Sequence, residues 1–167
     1  MEILTWPLEG AIAHKDSTGG NGIIRPGEMQ HMSAGSGVRH SEFNASDKDP
    51  LHLLQIWLVP ETKGIPPSYE QKAFPGHGLV LAASRDARKD SLKIHQDADV
   101  WVARLDQGEE AKLALKPGRH AWVQAAKGSI SVNGEKLAQG DGAAISDEKE
   151  LLLKGSDGCE AIVFDMA

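Results

Sequence analysis

The sequence holds a single cysteine, Cys159, among 167 residues, so neither an intramolecular disulfide nor a cysteine-rich zinc site can form. No apolar run approaches the roughly 18 residues that a membrane-spanning helix requires. The opening Met1-Glu2-Ile3-Leu4-Thr5-Trp6 lacks the basic start and the small-residue cleavage site of a secretory leader. A cytoplasmic location and no membrane partner are expected. Positive charge is scarce as well: 18 Lys+Arg against 24 Asp+Glu leave a formal net charge of −6. With no basic excess to displace counterions from phosphates, direct nucleic-acid binding is not expected. A nucleophile-elbow Gly-x-Ser-x-Gly, a phosphate loop, a dinucleotide fingerprint and a His-Glu-x-x-His pair are all missing, as are heptads and long amphipathic helical periods.

What the sequence does contain is short apolar or alternating runs bounded by Gly, Pro, Asn and Asp, the pattern of an all-β chain. Strands are expected over 2–8, 11–14, 51–59, 100–105, 120–126, 129–133, 151–154 and 161–165. Asn21-Gly22 and Asn133-Gly134 read as hairpin turns, because the Asn-Gly pair accepts the positive φ angles such turns need. Only residues 84–89 suggest even a short helical turn. The strand signal fades between Pro60 and Asp90, where Ile65-Pro66-Pro67 forbids helix. That stretch divides the chain into a first domain over 1–80 and a second over 92–167. A weak repeat supports two halves: Gly10 and Gly128 each end a strand and precede another that leads to a Gly-plus-acid turn.

The densest polar group is Arg39-His40-Ser41-Glu42-Phe43-Asn44. On a strand, His40, Glu42 and Asn44 share one face, and an imidazole beside a carboxylate suits a divalent ion such as Fe(II). The same pattern also suits a solvent-facing strand with an ordinary His–Glu pair. His31 and His52 read as packing or pocket-lining residues, His14 as an exposed residue at a hairpin end, and His77, His95 and His120 as structural. Cys159 lies near Asp157 and Glu160, which should raise its thiol pKa and argues against a reactive nucleophile.

The run from Arg25 through His40 and Glu42 to Asn44 closely resembles the pirin family. The resemblance continues through Leu51–Leu58, Pro67-Ser68-Tyr69-Glu70-Gln71 and Asp90–Asp97. It implies a bicupin: two cupin-type antiparallel β-sandwich or jelly-roll domains, with metal in the first and the second metal-free. In that family iron is held by a His-x-His pair and by the His and Glu of a later His-x-Glu, to which His40 and Glu42 correspond. Glu2 resembles the acid that ligates metal in many other cupins and is a further, weaker candidate. The resemblance implies Fe(II) or another divalent metal, with Glu42 as ligand and proton acceptor, or no metal if the site is left unfinished. It also implies quercetin 2,3-dioxygenase activity on a small flavonol-like aromatic, or an iron- or redox-sensitive interaction with a protein partner.

The family's His-x-His lies just before the segment matched by Met1–Trp6. The first domain is therefore expected to be incomplete, lacking the part that carries that motif, through truncation or a mis-set gene start. Impaired metal binding and a long unpaired edge follow from this reading, and with the edge a dimer through the first half.

Overall fold

The structure is a computed structural model that describes residues 1–156 and 158–167. The chain divides into two compact units, residues 1–75 with 92–96 and residues 76–91 with 97–167. The first contains β1 (Glu2–Glu9), β2 (Ile12–Asp16), β3 (Asn21–Ile24), β4 (Glu28–Ser33), β5 (His40–Asn44), β6 (His52–Leu58) and β7 (Ser68–Ala73). These form one sheet in the order β6-β1-β4-β7 and another in the order β3-β2-β5, antiparallel throughout.

The second unit contains β8 (Gly78–Ser84), a 3₁₀ turn at Arg88–Asp90 and, after the two-residue β9 (Leu92–Lys93) of the first unit, β10 to β17. Those strands are β10 (Ala98–Leu105), β11 (Glu110–Ala114), β12 (His120–Lys127), β13 (Ser129–Val132), β14 (Glu135–Ala138), β15 (Gly142–Ser146), β16 (Glu150–Gly155) and β17 (Cys159–Met166). Strands run β15-β12-β17-β10-β8 in one sheet and β11-β16-β13-β14 in the other. Val123, Ala161 and Val163 of the former meet Ile130, Val132, Leu151 and Leu153 of the latter in a buried apolar cluster. Period-two alternation gives each strand one inward apolar row, so the core lies between the sheets.

The incomplete first domain expected from the sequence is corrected here. β1 is not an unpaired edge. It is hydrogen-bonded to β4 on one side, with Glu2 opposite Ser33 and Thr5 opposite Gln30, and to β6 on the other. Every residue from Glu2 to Leu8 is buried. An apolar opening segment is what a central strand requires, because both of its faces and both of its edges are covered. The strands that cover it come from later in the same chain.

The first hairpin is also corrected. Asn21 and Gly22 lie inside β3, paired with Lys15 and His14, and the connection is made by residues 17–20. Asn133-Gly134 does turn β13 into β14, with φ of 50° and 91°. Gly10 turns β1 toward β2 at φ 73°, and a Cβ there would lie 2.3 Å from the Pro50 carbonyl oxygen.

Candidate metal centre

Register places a row of polar side chains across the first sheet. Thr5 on β1 is opposite Gln30 on β4 and Gln55 on β6, and Gln30 is opposite Gln71 on β7. Because side chains directly opposite one another share a face, Gln55, Thr5, Gln30 and Gln71 form one line. Across the sandwich, His14 on β2 is paired with Glu42 on β5 and with Gly22 on β3. Gly22 leaves room for the row: a Cβ there would lie 2.6 Å from Gln71 Oε1 and 2.8 Å from Tyr69 Oη.

Glu42 is the meeting point. Its Oε1 accepts hydrogen bonds from Gln30 Nε2 at 2.7 Å and Thr5 Oγ1 at 3.3 Å, and its Oε2 accepts one from Gln55 Nε2. A carboxylate has about four lone-pair sites, so three donors orient it and leave one free. His40 is exposed at the start of β5, and its ring stacks over that of His14 with centroids 5.9 Å apart.

His14 is buried rather than exposed, a second correction to the sequence reading. Its ring packs on Tyr69 at 4.6 Å, and its Nε2 shares a proton with Asp16 Oδ2 at 2.9 Å. Burial works to raise the Asp16 pKa, but hydrogen bonds from the Thr18 hydroxyl, His14 and the Thr18 and Gly20 backbone N–H groups outweigh it. The carboxyl is held well below its usual range, so the shared proton rides on His14 Nε2. His14 Nδ1 is buried without a hydrogen-bond partner, 3.7 Å from Glu42 Oε1. Burial, then the charges of Asp16, Glu42 and Glu28, push the Tyr69 hydroxyl up to about 12.

An oriented carboxylate, an exposed imidazole and an orphaned buried imidazole nitrogen form a donor set suited to a divalent first-row ion. The donor types are those such an ion takes, although among the described residues the three that bring ligand atoms within 4.8 Å of one another are His77, Asp106 and Glu109. No His-x-His pair occurs in the sequence.

Glu2 lies elsewhere in the first unit and is fully buried. Its Oε2 accepts from His31 Nε2, the His95 backbone N–H and His95 Nδ1 at 2.9 to 3.0 Å, and its Oε1 from Ser33 Oγ at 2.6 Å. Desolvation opposes ionisation, yet these four donors prevail and bring its pKa down to about 2. With its lone pairs occupied, Glu2 acts as a structural carboxylate.

The second unit carries a candidate metal cluster that the sequence reading missed. His77, Asp106 and Glu109 each place a ligand atom within 4.8 Å of the others. His77 Nε2 lies 2.6 Å from Glu109 Oε2, which also accepts the Asp106 backbone N–H at 2.9 Å. That backbone bond first, then His77, lowers the Glu109 pKa. The trio could hold Fe(II) or another divalent ion. The 28 residues between His77 and Asp106 concealed it, since only the pairing of β8 with β10 brings the two strand ends together.

A cleft of about 470 Å³ at the other end of the β8–β10 pair is lined by Arg88, Arg119, Asp97, Asp99 and Asp165, among others. Its arginines are already paired, Arg88 with Asp86 and Asp99, and Arg119 with Asp97 and Asp165. Cys159 is buried, and burial first, then the Glu160 charge, raises its thiol pKa.

Comparison with known proteins agrees with this architecture. The family model described as Pirin matches residues 1–58, and that described as Quercetinase C-terminal cupin domain matches residues 81–166. A quercetin 2,3-dioxygenase of Escherichia coli (strain K12) is 43% identical over 167 residues, spanning 99% of this chain and 72% of that protein. The crystal structure of YhhW from Escherichia coli is similar with a TM-score of 0.95 at 42% identity, over 99% of this chain and 71% of that one. The structure of bacterial pirin YhhW in complex with nickel(II) gives 0.93 at 43% identity, over 99% and 72%. These matches correct the expected half-domain, since the Pirin match covers residues 1–58 and the structural likeness runs through both halves, over 71 to 72% of those chains.

Proposed function

Because the chain belongs to the pirin family and is closely related to quercetin 2,3-dioxygenase, we propose that it is a divalent-metal-dependent dioxygenase acting on a small flavonol-like aromatic. His40 and Glu42 are the proposed ligands in the first unit, and Glu42 is the proposed proton acceptor. The ion, when bound, supplies Lewis acidity and one-electron chemistry with O₂. The rest falls to the side chains. Gln30, Thr5 and Gln55 fix the Glu42 carboxylate, so that it receives the proton of a flavonol hydroxyl without reorganising. Tyr69, held protonated by burial and by its anionic neighbours, forms a neutral wall behind His14. The observation that carries this reading is Glu42, oriented by three donors and with His14 Nδ1 3.7 Å from its Oε1.

Oxygen uptake with quercetin by the Fe(II)-loaded protein tests it. E42Q should lower the rate by about 10²-fold or more, as loss of a general base does. No uptake by the loaded parent protein overturns the reading.

A second reading, an interaction protein that pairs with itself or with another protein, is favoured by one feature. β6 is an outer strand of its sheet, Trp57 on it is 63% exposed, and Val59 just beyond it is 65% exposed. Edge strands with exposed apolar side chains invite pairing. Light scattering should show a dimer that W57K reduces to monomer. A parent protein that stays monomeric at high concentration removes self-association.

A further inference from the structure

We propose that the second unit carries a binding site for a small aromatic carboxylate, at the open end of its sandwich. The site is the cleft of about 470 Å³ whose lining includes Trp101 and Lys116. It uses no residue of the first unit and is independent of the metal-dependent reading above.

The inward face of the sandwich changes character at this end. Trp101 on β10 is opposite Val163 on β17, and both take part in the packing between the two sheets. Two residues further along the same strands, Asp99 and Asp165 lie opposite one another. Period two turns them to that same inward face. Charge at the margin of an apolar core is costly unless it is paired, and here it is paired throughout. Arg88 donates to Asp86 at 2.9 Å and to Asp99. Arg119 bonds the Asp165 side chain, the Asp165 carbonyl at 2.8 Å and Asp97 at 2.9 Å. Lys116 belongs to neither network, so the charge left to the cleft is positive.

Ion pairs that merely plugged the sandwich would leave no polar group wanting. Trp101 Nε1 is buried without a hydrogen-bond partner. Trp57 and Trp122 instead donate to Gln55 and Gln124, each two residues away on the same strand. At Trp101 the corresponding neighbours are Asp99, already taken by Arg88, and Ala103. Buried N–H groups are nearly always paired, and a ligand oxygen supplies the missing acceptor. Lys89 Nζ lies over the Trp101 ring, 5.4 Å from its centroid, on a turn with positive φ at Ala87, Lys89 and Asp90. Such backbone strain gathers at ligand-contacting segments, and a ligand reaches the indole by displacing the flexible Lys89 side chain.

The chemistry of the cleft sets the ligand class. Lys116 and the indole N–H both call for an anionic oxygen, while Leu113 and the indole ring offer an apolar wall. The sheets of a sandwich stand about 10 Å apart, a slot that suits a flat ring, and the cleft is of a size that holds small organic ligands.

Benzoate is the probe, with benzamide as its neutral counterpart. The isotope-labelled full chain is titrated with each and followed by proton–nitrogen NMR. Its four tryptophans give four indole N–H signals, and W101F identifies the one that belongs to Trp101. Benzoate should move that signal downfield and leave the others nearly in place, and benzamide should not bind. W101F, which keeps a ring, should weaken benzoate binding about tenfold. K116Q should weaken it about two- to fivefold, an effect that fades at high salt. A parent protein that does not bind benzoate, or binds it with the Trp101 signal unmoved, overturns the proposal, as does equal binding of benzamide. Unchanged affinity in K116Q, or in a folded W101F, does the same. If W101F does not fold, the Trp101 signal is assigned through its own backbone, and that signal together with K116Q decides.

Discussion

Histidines at 14, 31 and 40 look alike in the sequence, and their neighbours in space set them apart. His31 closes a buried pair with Glu2, His40 stands exposed, and His14 is buried with one nitrogen anchored and the other unpartnered. The adjacent Lys15-Asp16-Ser17 made His14 read as exposed. In the fold, Asp16 is itself buried by a ring of short local hydrogen bonds, and it draws His14 in with it. Cys159 is the opposite case, since burial first and then the Glu160 charge raise its thiol pKa and leave the thiol protonated near neutral pH. A thiol-specific disulfide reagent should therefore react slowly with native protein at pH 8 and at once after unfolding; fast native reaction would contradict the burial.

At the scale of elements, the strands that were legible are those with apolar alternation, such as β10, β12 and β17. Hidden from the sequence were, among others, β4, β7 and β11, and the reason differs. β4 is Glu-Met-Gln-His-Met-Ser, buried from Met29 to Ser33, and its polar side chains are paired inside the sandwich, so hydropathy understates its burial. β7 and β11 lie at sheet edges with polar outer faces. Turns were legible where they need special φ angles. Asn133 shows why the match is not generic: besides its φ of 50°, its Oδ1 accepts the Leu152 N–H at 2.8 Å and its Nδ2 donates to the Glu150 carbonyl at 3.2 Å. N133G should cost about 1 kcal/mol through the lost hydrogen bonds, and N133A about 1 kcal/mol more through backbone strain, measured by urea denaturation. Equal stability of the two variants would remove the strain argument. G10A combines a φ of 73° with a clash against the Pro50 carbonyl and should cost about 2 kcal/mol or more by the same measurement.

For the molecule as a whole, acid response is set by carboxylates whose folded pKa lies below the unfolded value. Glu2 falls from 4.5 to about 2 on folding, so its contribution is fully present above about pH 5 and is lost as pH drops toward 2. The shift corresponds to about 3 kcal/mol. E2Q should destabilise the protein at pH 7 and flatten the fall in stability between about pH 5 and pH 2, read from melting temperatures. A parent-like acid limb in E2Q would show that Glu2 does not set it. Among the described residues no helix is long and apolar enough to cross a membrane.

The sequence by itself determined the all-β class, the family, the pairing of His40 with Glu42 on one face of a strand, and the inert cysteine. Each follows from local pattern, because residues two apart on a strand share a face whatever else the chain does. Only the tertiary structure decided that β1 is a central strand, that Gln55, Thr5, Gln30 and Gln71 line up across four strands, and that His14 looks at Glu42. It also gathered His77, Asp106 and Glu109. These depend on which strands pair and in what register, and a slip of one residue would send every such side chain to the opposite face. Long-range register is fixed by the packing of the whole sandwich, and no stretch of sequence carries it alone.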